Sequence, residues 1–133
     1  MTFRKFQQNK LWRDKAIDMA ESKGSKIHWT RLDDTAFTQQ LKIKFMEEAA
    51  EVCAAKDKQA LIEECADILE VINAFADLHN FTMHDVMNVQ HQKFQERGGF
   101  AGRKLVTMAQ HPKDSPLVQY CLKEPEKYPE IID

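Results

Sequence analysis

The chain has little of what breaks helices or staples small folds: 133 residues contain 4 Gly, 4 Pro and 3 Cys. So few turn formers argue against the many tight turns of an all-β sandwich or barrel. Cys53, Cys65 and Cys121 are widely spaced, odd in number and without a Cys-x-x-Cys pair. Neither a disulfide framework nor a zinc site is expected of them; buried, reduced thiols are. There is no run of about 18 apolar residues, and Met1 to Lys10 lacks the apolar stretch of a secretory signal. The cytosol is therefore the expected compartment, with no membrane partner. Nor does one sign of charge dominate. Nineteen Lys+Arg stand against 21 Asp+Glu, a net charge of −2, which offers no electrostatic footprint for nucleic acid. What is present is 43% hydrophobic residues beside 30% charged ones, the balance of one soluble globular domain over residues 1–133.

The hydrophobic pattern is helical throughout. It predicts a first helix over Leu11–Lys23, stopped by Gly24, then a connector from Ser25 to Asp34. Asp34 or Thr35 can cap a long helix reaching about Ala55. Asp57, in the polar break Lys56–Lys58, caps a second long helix from about Gln59 to His79. A connection that short predicts an antiparallel hairpin. Asn80 and Phe81 form a turn, Thr82 and Asp85 a capping box, and a further helix runs to Arg97 before Gly98-Gly99. The expected core spans about residues 10–105. The tail, about 106–133, is cut into short pieces by Pro112, Pro116, Pro125 and Pro129; Arg103–Met108 is the one candidate strand. Trp12, Trp29, Phe37, Phe45, Phe75 and Phe94 at helical spacing, with Met83, Met87 and Met108, are expected to pack in the core; Tyr120 and Tyr128 are expected to serve packing in the tail. The fold class is all-α: a helical bundle built on a central hairpin.

Both arms of that hairpin carry the same local pattern. Glu47-Glu48-Ala49-Ala50-Glu51-Val52 returns as Glu63-Glu64-Cys65-Ala66-Asp67-Ile68. At about 100° per residue, Phe37, Leu41, Phe45, Val52 and Ala55 fall within about 60° of Glu48. Ile68, Val71 and Phe75 fall within about 40° of Glu64. On each helix one acid thus interrupts the apolar stripe, and a second, Glu51 or Asp67, borders it about 60° away in the same sense. Glu63, Glu70 and Asp77 occupy another face and make an ordinary solvated stripe. Carboxylates buried without partners cost several kcal/mol each, so Glu48, Glu51, Glu64 and Asp67 require neutralisation. An all-oxygen set without His at ligand spacing suits Mg²⁺ or Mn²⁺ rather than Zn²⁺ or copper, and a di-iron bundle would need the Glu-x-x-His pairs absent here. Pairing with Lys or Arg across the bundle is the plainer alternative.

A carboxylate-held Mg²⁺ commonly takes phosphate oxygens as further ligands. Lys93 and Arg97 lie at i and i+4 beside Gly98-Gly99 and present two cations on one helix face. Lys44, on the flank of Glu51, and Arg13 and Lys15 near the start are further candidates for binding phosphate.

These residues resemble a known signature. Glu47-Glu48-x-x-Glu51 followed by Glu64-x-x-Asp67 is similar to that of the all-α nucleoside triphosphate pyrophosphatases, which include MazG proteins, dimeric dUTPases and phosphoribosyl-ATP pyrophosphohydrolases. Lys93-Phe94-Gln95-Glu96-Arg97 resembles the Lys-Phe-x-x-Arg segment of MazG. Lys10-Leu11-Trp12-Arg13-Asp14-Lys15 and Arg97-Gly98-Gly99-Phe100 resemble segments of a phosphoribosyl-ATP pyrophosphohydrolase-like group. The likeness covers roughly residues 10 to 105, with His91 standing where MazG proteins usually have Asn. It implies a bundle completed by dimerisation, as a homodimer or dimer of dimers that uses Mg²⁺ to hydrolyse a nucleotide to its monophosphate and pyrophosphate. Glu48, Glu51, Glu64 and Asp67 would hold the metal, with Glu48 and Glu47 at the catalytic step, and Lys93 and Arg97 would bind phosphates. The substrate expected is a non-standard nucleoside triphosphate; phosphoribosyl-ATP is the enzymatic alternative, and a non-catalytic helical interaction module the alternative of another class.

Overall fold

The computed structural model describes residues 2–133. Among them lie five α-helices and no strand: α1 (Asp14–Ser22), α2 (Asp34–Ala54), α3 (Lys58–His79), α4 (Met83–Arg97) and α5 (Pro116–Leu122). Two compact units divide the chain, one ending at Gln95 and the other running from Glu96 to Asp133.

In the first unit α2 and α3 pack along each other as the expected hairpin. Side-chain caps set both helix starts. The Asp57 carboxylate accepts a hydrogen bond from the Ala60 amide at 2.8 Å, satisfying one of the donors a helix leaves open at its first turn. At α2 the cap is Asp33, one residue before the expected position. Its backbone is extended and its carboxylate accepts from the Ala36 amide at 2.8 Å. Asp34 then falls in the first turn, where its charge faces the positive end of the helix dipole. Asn80 ends α3 in the left-handed region (φ 58°), and the capping box follows. The Thr82 amide donates to Asp85 Oδ2 at 2.8 Å, and the Asp85 amide to Thr82 Oγ1 at 3.1 Å.

α1 is shorter than expected and begins at Asp14 rather than Leu11. Asn9 turns with φ 50°, and Lys10 and Arg13 are tied by ion pairs to α2 and α3. Arg13 itself is extended (φ −62°, ψ 141°), so the helix starts one residue after it. In the second unit α5 forms where only broken tail was expected, with Pro116 in its first turn and Ser115 Oγ accepting from the Leu117 amide. The strand candidate 103–108 stays irregular, since no second strand offers it a ladder. The Tyr120 and Tyr128 rings, 5.8 Å between centroids, pack the tail on itself.

A two-helix hairpin has one interior seam, and this one buries few side chains. Leu41, Val71 and Ala76 are the buried apolar residues among those described. Phe37, Val52, Ala55, Ile68 and Phe75 are half-buried, as the 3.6-residue period predicts for positions flanking the seam. Other core expectations are overturned. Phe45, Trp12, Trp29, Phe94, Met87 and Met108 are exposed. The cysteines are free thiols as expected but not buried: Cys53 and Cys65 are exposed and Cys121 half-buried. The cause is shared. Helical periodicity marks an apolar face but cannot supply the layer that covers it.

Candidate metal centre

Glu48 lies in the seam itself, 5% exposed, between Leu41 one way along α2 and Val52 the other. Glu51 follows one turn on and Glu64 reaches in from α3. Each of the three offers a carboxylate oxygen, and these oxygens lie within 4.8 Å of one another. Glu48 Oε2 and Glu64 Oε2 are buried and have no hydrogen-bond partner. An acceptor stripped of water and left unmatched costs about 1–3 kcal/mol, more when charged, so these two oxygens are the costliest atoms of the cluster unless a proton or a cation joins them.

The electrostatics agree. Burial, then the charge of Glu51, pushes the Glu48 carboxyl above its ordinary value, and Lys44 partly offsets this. Glu64 is pushed up to about 7. Its shared hydrogen bond with Glu51 contributes most, followed by desolvation and the charges of Glu51, Asp67 and Glu48. Negative groups crowded this closely favour either a retained proton or an added cation.

The fourth predicted ligand stands at the border. Asp67 is half-buried and near enough for its charge to act on both Glu48 and Glu64. It is outside the converging set, and its Oδ1 accepts a hydrogen bond from Arg13 Nη2 at 2.7 Å. Glu47 turns to cations instead: Lys10 Nζ is 3.3 Å and Lys44 Nζ 3.6 Å from its Oε1. Lys44 also approaches Glu48 Oε1 at 3.5 Å. The structure therefore brings Lys44 and Arg13 to the acids. Lys15, Lys93 and Arg97 are exposed and make no ion pair among the described residues. α4, which carries Lys93, packs on neither α2 nor α3. Lys10 was not singled out from sequence as a site residue. Its partner lies 37 positions away, a separation that no local pattern encodes.

Three carboxylates from two helices, two with orphaned oxygens, fit a hard divalent ion: the donors are all oxygen and a cation supplies the missing partner.

Comparison with known proteins agrees with this chemistry. Residues 38–99 match the family model described as the MazG nucleotide pyrophosphohydrolase domain, consistent with a member of the all-α NTP pyrophosphatase superfamily. That span holds all five acids together with Lys44, Lys93 and Arg97, and leaves Lys10, Arg13 and Lys15 outside. MazG enzymes depend on a divalent metal, in keeping with the carboxylate cluster. No curated protein and no solved structure matches the chain.

Proposed function

We propose that this MazG-like chain is a Mg²⁺-dependent nucleotide pyrophosphohydrolase that cleaves a nucleoside triphosphate to monophosphate and pyrophosphate, clearing non-standard nucleotides from the cytosol. The observation that carries the reading is the convergence of Glu48, Glu51 and Glu64 within 4.8 Å, with buried, unpartnered oxygens on two of them, inside the matched span.

Glu48, Glu51 and Glu64 hold the ion, with Asp67 completing the set from its border. Bound there, a divalent ion supplies charge neutralisation at phosphate oxygens and acidifies a water. The rest falls to this chain's own side chains. Glu47, at the rim and held by Lys10 and Lys44, accepts a hydrogen bond from the attacking water and orients it. Lys44, 3.5 Å from Glu48, and Arg13, 2.7 Å from Asp67, bind the polyphosphate. Lys15, Lys93 and Arg97 join them in the assembled enzyme. No covalent intermediate is required, because placing a water in line with a neutralised leaving group supplies most of the rate.

The exposed apolar side chains support assembly. Ile43 and Met46 on α2 and Leu61, Ile62 and Leu69 on α3 are each between 43% and 67% exposed, an unusual burden for a lone domain. A homodimer or dimer of dimers covers them. No helix is long and apolar enough to cross a membrane.

The test is a panel of nucleoside triphosphates and phosphoribosyl-ATP given to the purified protein with Mg²⁺ or EDTA. Mg²⁺-dependent pyrophosphate release from a nucleoside triphosphate supports the reading. Release from phosphoribosyl-ATP alone moves the assignment to that substrate, and no release from any of them sinks it.

A further inference from the structure

The segment before α1 lies across both arms of the hairpin. Lys10 reaches Glu47 on α2 at 3.3 Å, and Arg13 reaches Asp67 on α3 at 2.7 Å. Asn9, Lys10 and Leu11 share a shallow crevice with Gln40, Ile43, Lys44 and Glu47. The acid that Arg13 grips is the one border acid whose oxygens stay outside the converging set of three.

We propose that Arg13 and a divalent cation compete for Asp67, so that ion entry hands Arg13 from Asp67 to a phosphate of the nucleotide; the proposal rests on the metal-centre reading above. The Arg13 and Asp67 side chains are 58% and 40% exposed. An ion pair that wet is worth little, about 0.2–1 kcal/mol, so a divalent charge can displace it. A guanidinium bonded to Asp67 also repels any cation approaching the same carboxylate. Once freed, its planar fork suits phosphate oxygens better than a point charge does. Lys10 stays paired with Glu47 and keeps Arg13 within reach of the site. By linkage, ion and phosphate then raise each other's affinity through one side chain.

The chain has 2 Trp, so a Trp29→Phe background leaves Trp12, adjacent to Arg13, as the single reporter of this segment. In that background, with and without Arg13→Ala, Mg²⁺ is titrated at low ionic strength by calorimetry and by Trp12 emission. Arg13→Ala is expected to bind Mg²⁺ about two- to fivefold tighter and to lose the Mg²⁺-induced change in Trp12 emission. A non-hydrolysable nucleoside triphosphate at saturating Mg²⁺ is expected to bind the same variant more weakly, and Arg13→Lys to retain the competition. Equal or weaker Mg²⁺ binding by Arg13→Ala overturns the competition, the latter making Arg13 a positioning residue for Asp67. Unchanged nucleotide binding overturns the hand-over. Absence of Mg²⁺ binding in both proteins overturns the metal centre together with this proposal, whereas binding of equal strength overturns this proposal alone.

Discussion

Glu48 shows how one residue can be read in two directions. Its place in the apolar stripe marks it as costly for folding, and that cost is the reason to assign it a ligand. Replacing it with Gln keeps the shape and removes the charge. Glu48→Gln is therefore expected to melt at a higher temperature than the parent in EDTA, to lose the Mg²⁺-induced thermal shift, and to turn over about 10²–10³-fold more slowly. Asp67→Asn is expected to lose turnover as well while keeping its fold. Calorimetry beside a pyrophosphate assay separates these effects, and near-parental activity in either variant would falsify the site assignment. Glu64 gives a pH signature. Its folded pKa is raised from 4.5 to about 7, so the folded protein holds a proton that the unfolded chain has released. In EDTA this contribution favours folding at low pH and is lost as pH rises from about 4.5 through 7. Glu64→Gln flattens the melting temperature across that window. The same proton must leave when a cation binds, so Mg²⁺ affinity is expected to fall as pH drops below 7, with proton release measurable in buffers of different ionisation enthalpy.

At the scale of the element, two turns and their caps put the acids where they are. Asp57 is the point from which α3 starts, and so it fixes how far Glu64 stands along α3 from Glu48 and Glu51 on α2. Asp57→Ala removes the bond to the Ala60 amide and is expected to cost about 1 kcal/mol, read as a lower denaturant midpoint. The sequence made these boundaries legible because capping chemistry is local. Asp57 and the Thr82–Asp85 box are legible from residue type and spacing alone, whereas the α2 cap is Asp33, one position before the two expected candidates, Asp34 and Thr35. The N-terminal segment was not legible in the same way. Leu11 to Arg13 have helical composition, yet they stay outside α1, and the segment's ion-pair partners, Glu47 and Asp67, lie far along the chain. α5 escaped notice for the opposite reason: seven residues between prolines carry too little periodicity to register.

For the whole molecule the decisive quantity is the apolar surface that one chain leaves uncovered. Few apolar side chains are buried among the described residues, while aliphatic and Met side chains on both arms of the hairpin face outward. A single 15.5 kDa chain is expected to be absent from solution at micromolar concentration. Sedimentation velocity should show a dimer or tetramer, and a monomer at that concentration overturns the assembly. Ile62→Lys, placed on the exposed face of α3, is expected to shift the distribution toward the monomer and to lower the melting temperature. Glu48, inside the hairpin of each chain, is untouched by that change.

The sequence by itself determined the all-α class, the hairpin, and the identity and phase of the acids, because each depends on spacing along one helix, which the 3.6-residue period makes computable. Only the tertiary structure decided that three of the four acids converge while Asp67 is gripped by Arg13, and that Lys10 and Lys44 hold Glu47. It also decided that most of the expected aromatic core is surface in the single chain. These are matters of distance between segments far apart in sequence, and such distances are set by packing and long-range charge pairing rather than by local preference.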